Sequence, residues 1–315
     1  MSGRPLHVAV EIGAGGDDVA AARAAEAAGF ALVTLDDSPL PPAGGFRLEA
    51  GVRAAYLARR TSRIGLAPTL HVTVTEPFHV ATQLASLDHA SLGRAAWVVG
   101  AANSEAALAT IGGRPLGEGE LRREVADVVG AARQLWDSWE DDAVIRDAAT
   151  GRFVDADRVH HVNFTGARFT VTGPLITPRP PQGQLVVLGA DTLGVTARLD
   201  VALVAATTFD EVAARARQAR SDGAPLVLAE LEVVFGADRD PQAGPRLRAA
   251  GGADEFRALI ERLGDVADGV RLHLARPAAQ LSLVAAALGP RPPVGRTLRE
   301  SLGLARPANQ FANAR

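Results

Sequence analysis

Arg63-Ile64-Gly65-Leu66-Ala67-Pro68 is a short β-rich run, and Arg94-Ala95-Ala96-Trp97-Val98-Val99-Gly100 is another. Between them the segment from about Glu76 to Asp88 reads as a helix. Strand, helix, strand is the unit that places two parallel strands side by side with a helical crossover. The rest of the chain repeats it.

Toward the N-terminus, Leu6–Ile12 and Ala31–Leu35 read as strands, with helices over Asp17–Ala28 and Leu48–Arg60. Toward the C-terminus, Leu185–Leu188, Val201–Ala205, Leu226–Val234 and Val270–Leu274 continue the series. Helices are expected near Glu120–Trp136, Asp210–Arg220, Ala253–Leu263 and Ala278–Leu288. Eight strands in strict alternation favour a closed (β/α)8 TIM barrel over an open sheet. A chain of 315 residues is a usual length for one such barrel, so residues 1–315 are read as a single domain.

One section breaks the rhythm. Residues 137–184, following the fourth strand region, are rich in Asp, Gly and Pro. They are read as an insertion at the C-terminal end of the strands, with a small hairpin near Arg168–Thr172. An insertion placed there would cover an active site.

Composition excludes several chemistries. All 33 basic residues are arginine, so no lysine is present for a Schiff base or a P-loop. With no cysteine there is no disulfide, thiolate metal site or thiol nucleophile, which fits a cytoplasmic enzyme. A net charge of -3 gives no broad attraction to nucleic acid or to an acidic membrane. Met1–Pro5 does not lead into a signal-peptide pattern, and no stretch is long and apolar enough to span a bilayer. H-E-x-x-H is absent and the histidines form no metal cluster, so no metal is expected.

Gly13-Ala14-Gly15-Gly16 follows the first strand, and Asp36 and Asp37 end the second. That spacing also suits a dinucleotide fold. Its third glycine, however, falls on Asp18, whose charge opposes a pyrophosphate at a helix N-terminus.

The stretches Thr61–Thr69, Glu76-Pro77-Phe78-His79-Val80-Ala81 and Leu87-Asp88-His89-Ala90-Ser91-Leu92-Gly93-Arg94 resemble the luciferase-like flavin monooxygenases. The branch most resembled holds nitrilotriacetate monooxygenase component A and the sulfone monooxygenases. Leu135-Trp136-Asp137-Ser138-Trp139-Glu140, Phe169–Leu175, Pro180-Pro181-Gln182-Gly183 and Thr297–Leu304 agree with it in order. The resemblance covers nearly the whole chain. It implies a barrel that binds reduced FMN at the C-terminal ends of its strands, supplied by a separate flavin reductase. It also implies oxygenation of a small organic substrate, and a homo-oligomer. A deazaflavin F420-dependent oxidoreductase on the same barrel is the alternative enzyme. A barrel that has lost its flavin site is the non-enzymatic one.

The resemblance also nominates residues. Asp36 or Asp37 and Thr69 match positions that touch flavin or substrate, although Asp-Asp-Ser-Pro is good turn chemistry in its own right. His71, in the loop beyond Thr69, is the catalytic candidate. His79 and His89 suit packing or capping, and His160-His161 lies in the insertion. Where relatives carry an asparagine and then a threonine or serine, this chain has Val98 and Ala101, and a family tyrosine is replaced by Arg122. The flavin-phosphate loop, Ala-Gly-Ser-Ser in relatives, reads Gly189-Ala190-Asp191-Thr192. Ala190, Asp191 and Thr192 are therefore the phosphate-side candidates, with Arg122 as the cation to offset Asp191.

Overall fold

The computed structural model describes residues 6–42, 45–235, 244–275, 277–289, 291 and 295–312. The chain runs through β1 (His7–Ile12), α1 (Asp18–Ala27), β2 (Leu32–Leu35), α2 (Ala50–Ala58), β3 (Gly65–His71), α3 (Pro77–Ser91) and β4 (Ala96–Gly100). It continues with α4 (Glu105–Ala109), α5 (Glu118–Asp137), and the short strands β5 (Val144–Asp147), β6 (Arg152–Val154), β7 (Phe164–Thr165) and β8 (Thr170–Val171). Then follow β9 (Val186–Ala190), β10 (Val201–Val204), α6 (Phe209–Ser221), β11 (Leu226–Phe235), β12 (Leu247–Gly251), α7 (Ala253–Gly264), β13 (Gly269–Leu274), α8 (Pro277–Leu288) and α9 (Leu298–Ser301).

The main sheet runs β10-β9-β4-β3-β2-β1-β13-β11, and β10 pairs with β11 to close it. All these pairings are parallel. The closed barrel is the expected (β/α)8 architecture, and an open dinucleotide sheet is excluded. Its eight strands are those read from the sequence. β12 is an addition: it pairs in parallel with the upper part of β11, Leu231 opposite Leu247.

Alternation explains the two cores. Outward-facing strand residues such as Val8, Val10, Val33, Trp97, Val187 and Leu272 pack beneath the helices. Ala9, Leu32, Ala67, Val98, Leu188, Leu203 and Leu228 fill the barrel's interior. At the N-terminal end of the strands, Leu298 of α9 and Leu302 just after it join that inner cluster and plug the opening. A Cβ at Gly65 would lie 2.7 Å from Leu298 Cδ1, so glycine there makes room for the plug.

The insertion does not cover the mouth. α5 begins beyond the C-terminal end of β4 and runs back, so Asp137 ends at the opposite, N-terminal face of the barrel. From there to β9 the two ends of the segment are tied to that face, while the β7–β8 hairpin folds back along α5, where Ala167 N donates to Asp127 at 2.7 Å and Arg168 pairs with Glu124. Gln182 Nε2 donates to Asp88 Oδ1 at 2.7 Å and to the Ala95 carbonyl at 2.8 Å, and Arg179 Nη2 donates to Asp137 Oδ1 at 2.8 Å. A helix-to-strand connection starts and ends on the face where strands begin, so the segment expected over the active site is anchored at the opposite end of the barrel. Within it, the expected hairpin is β7–β8, with Phe164 opposite Val171. A second hairpin, β5–β6, was not anticipated. Trp139 Nε1 donates to the Leu175 carbonyl at 2.8 Å and anchors the segment.

Candidate active site

Three expected residues meet at the C-terminal mouth. Asp37, Thr69 and His71 line a cavity of about 470 Å³ roofed by the proline-rich turn Pro39-Leu40-Pro41-Pro42. Thr69 is only 8% exposed, and its hydroxyl has no hydrogen-bond partner among the described residues. Leaving a buried hydroxyl unpaired costs free energy, and a ligand atom in the cavity would recover it.

His71 is differently placed. Its Nδ1 accepts from the Ala102 backbone N–H at 3.2 Å, which puts the ring hydrogen on Nε2, 3.3 Å from the Asp37 carbonyl. Both nitrogens serve the main chain. The ring thus laces the ends of β2, β3 and β4 together, and it sits so close to Gly100 that a Cβ there would lie 2.5 Å from Nδ1. Asp37 is a turn and helix-start carboxylate: it accepts from Ser38 N and Ala50 N, each at 2.7 Å. Asp36 is exposed, and its carbonyl accepts from Arg53 Nη1 at 3.0 Å.

Arg53 also closes the question of the glycine-rich loop. Its guanidinium holds the Asp18 carboxylate with bonds of 2.8 and 2.9 Å and donates to the Ile12 and Gly13 carbonyls. Asp18 therefore has a cation of its own, and the loop is pinned as a structural turn.

Two of the phosphate-side candidates border a second cavity of about 520 Å³, between the start of α5 and the loop after β9. Arg122 and Asp191 both line it, with Arg123, Arg198 and Thr196. Arg122 is not the partner of Asp191. It pairs with Glu118 at 2.9 Å and lies against Gly194, where a Cβ would fall 2.7 Å from its Nε. Arg215 of α6 takes Asp191 instead, with a forked contact at 2.8 and 2.6 Å that also raises the pKa of the guanidinium. Ala190 ends β9, and Thr192 is exposed in the short turn that follows. His160 pairs with Glu140 at 2.9 Å and His161 bonds the Gly173 carbonyl, both far along the insertion.

A charged cluster in the barrel wall was not anticipated. Arg271 Nε donates to Thr34 Oγ1 at 2.9 Å, Nη1 donates to Glu230 Oε1 at 2.7 Å, and Nη2 contacts Glu11 Oε2. His273 lies between the same two carboxylates, and Arg246 of the loop into β12 reaches Glu230 Oε2 at 3.0 Å. Burial lowers the Arg271 pKa to about 10. Burial pushes Glu230 up, but the His273 contact and Arg246 outweigh it and hold the carboxyl below its ordinary range. The signal was present in the sequence. Glu230 and Glu232, and likewise Arg271 and His273, sit two apart in apolar strands and so share a face.

Residues 7–241 match the family described as luciferase-like monooxygenase. N-acetyl-S-(2-succino)cysteine monooxygenase of Bacillus subtilis (strain 168) is 44% identical over 149 residues, 47% of this chain. That stretch is 34% of the relative, so the chain matches about a third of its length. A component of the pristinamycin IIA synthase of Streptomyces pristinaespiralis is 33% identical over 297 residues, 93% of this chain and 90% of that protein. In structure, EDTA monooxygenase from Chelativorans sp. BNC1 superposes with a TM-score of 0.82 at 18% identity, over 96% of this chain and 99% of that one. This last likeness is one of fold.

Proposed function

The chain belongs to the luciferase-like monooxygenase family, and we propose that it is a reduced-FMN-dependent monooxygenase of a small organic substrate. The observation that carries this reading is the family match across the strands that build the mouth. The relatives' names supply the class of reaction and of substrate. A separate flavin reductase is the proposed partner, and a cytoplasmic homo-oligomer the proposed form.

The residues present fit such a cofactor. The unpaired Thr69 hydroxyl is the group that would meet the polar edge of the ring. The second cavity is the one that would take the phosphate. Arg215 cancels the Asp191 charge, which leaves Arg123 and Arg198 to meet an anion, with Arg122 joining them by exchanging its exposed Glu118 partner for the ligand. When bound, reduced FMN supplies the electrons with which one oxygen atom enters the substrate and the other leaves as water. The protein's share is position and exclusion of water. His71 fixes the three loops at the mouth, while Leu40 and the flanking prolines present apolar surface to the cavity.

The test is a titration of the purified protein with oxidised FMN, reduced FMN and F420, followed by absorbance and fluorescence. Preferential binding of reduced FMN, with oxygen uptake dependent on an added organic substrate, is the expected outcome. Selective binding of F420 would move the assignment to hydride transfer. Binding of neither would leave a barrel without flavin chemistry.

A further inference from the structure

The His273 ring faces a carboxylate oxygen at each nitrogen. Nδ1 lies 3.0 Å from Glu11 Oε1, and Nε2 lies 2.9 Å from Glu230 Oε2. A contact of that length between nitrogen and carboxylate oxygen needs a hydrogen between them. A neutral imidazole carries one, so two such contacts need a second. The arrangement is built for one proton more than a neutral histidine and two carboxylates provide.

The surroundings set how readily that proton is held. Among the described residues, the charged groups around the ring are Glu11 on β1, Glu230 and Glu232 on β11, Arg246 and Arg248 at β12, and Arg271 on β13 itself. Three glutamates face three arginines, so the cluster is neutral when the imidazole is neutral and carries one positive charge when it is protonated. Burial lowers the His273 pKa, Glu230 opposes that, and Arg271 and Arg246 reinforce it; the net direction is downward. A ring that gives up its second hydrogen turns a lone pair toward one of the two carboxylates. That is a base waiting for a proton.

We propose that Glu11, His273 and Glu230 form a proton-accepting site in the barrel wall just below the mouth. A proton released there bonds to the free imidazole nitrogen and completes the second carboxylate contact. Glu11 and Glu230 position the ring and stabilise its charged form, while Arg271 fixes both carboxylates. For catalysis this rests on the function proposed above, because it makes the triad the group that exchanges a proton with chemistry at the mouth.

The experiment is a proton NMR titration of the cofactor-free protein, following the ring Hε1 signals of its seven histidines. His273→Gln identifies the His273 signal. That signal is expected to titrate with a midpoint below the usual imidazole value. Glu11→Gln and Glu230→Gln should each lower it further, by about one pH unit, since each removes an anion that favours the imidazolium. A signal that does not move between about pH 3.5 and 9, or a midpoint indifferent to both substitutions, overturns the proposal. Should Glu230→Gln not fold, Glu11→Gln, at the more open end of the cluster, decides alone. In the loaded enzyme the acidic limb of the kcat/KM profile should move with the same variants. If the NMR midpoint shifts and that limb does not, the catalytic role is lost. If the protein binds no flavin, the function reading falls and the NMR result stands by itself.

Discussion

The two ends of the barrel treat buried polar groups in opposite ways. At the N-terminal end, Arg94 is 5% exposed and donates to the Ser91, Ile64 and Ala58 carbonyls at 2.7 to 2.9 Å and to Thr61. Arg299 bonds the Gln184 and Leu185 carbonyls and Asp200, and Asp200 is also held by Arg133. Asp88 accepts from Gln182 and from Ala95 N. At the C-terminal end, the Thr69 hydroxyl is unpaired and His273 shares hydrogens between two carboxylates. Arg94, Arg299 and Asp88 are bonded for closure; at the other end Arg53 is tied down as firmly, but Thr69 and His273 keep bonding capacity in reserve. That contrast is what distinguishes a stabilising face from a working one.

Breaking the closed end should cost most. Arg94→Met strips donors from several buried carbonyls, and about 5 kcal/mol of unfolding free energy should be lost in a urea melt. If the loss is under about 1 kcal/mol, the closed end is not what holds the barrel. At the open end, Arg271→Met leaves Glu11 and Glu230 without their common cation, and about 4 kcal/mol should be lost at neutral pH. That loss should shrink as acid neutralises the carboxylates.

Asp88 sharpens the comparison through pH. Burial raises its pKa to about 6 from the ordinary value of 3.8. The folded state thus binds the proton more tightly than the unfolded chain, and stability falls as pH rises through that window. The full swing is about 3 kcal/mol, and Asp88→Asn should flatten the slope between roughly pH 4 and 6 in melts at stepped pH. An unchanged slope would place the titration elsewhere. The smallest effect on stability is expected at Thr69. Thr69→Val removes an unpaired hydroxyl, so unfolding should change by less than about 1 kcal/mol, while reduced-FMN affinity should fall roughly tenfold. A large stability loss with unchanged affinity would make Thr69 part of the scaffold.

Local patterning carried the barrel. Runs such as Val8–Ile12 and Leu226–Val234 announce strands because their apolar density and bounding turns are local properties, and all eight barrel strands follow. β12 did not announce itself, since Leu247-Arg248-Ala249-Ala250-Gly251 is short and becomes a strand only by pairing with the overhang of β11. The insertion's sequence spoke of turns but not of position, which depends on the direction in which α5 leaves the mouth.

The site divided in the same manner. Asp37, Thr69 and His71 were legible as neighbours because they lie near the ends of adjacent strands, and they share one cavity. That His71 commits both nitrogens to the backbone, or that Arg215 rather than Arg122 answers Asp191, depends on partners up to 34 residues away.

By itself the sequence determined the alternation of strands and helices, and with it the barrel, since both follow from periodicity within each segment. Only the tertiary structure decided which charges meet. Glu11 and Arg271 are 260 residues apart, and closure of β1 against β13 brings them together. Electrostatics acts over a few ångströms of space, whatever the distance along the chain.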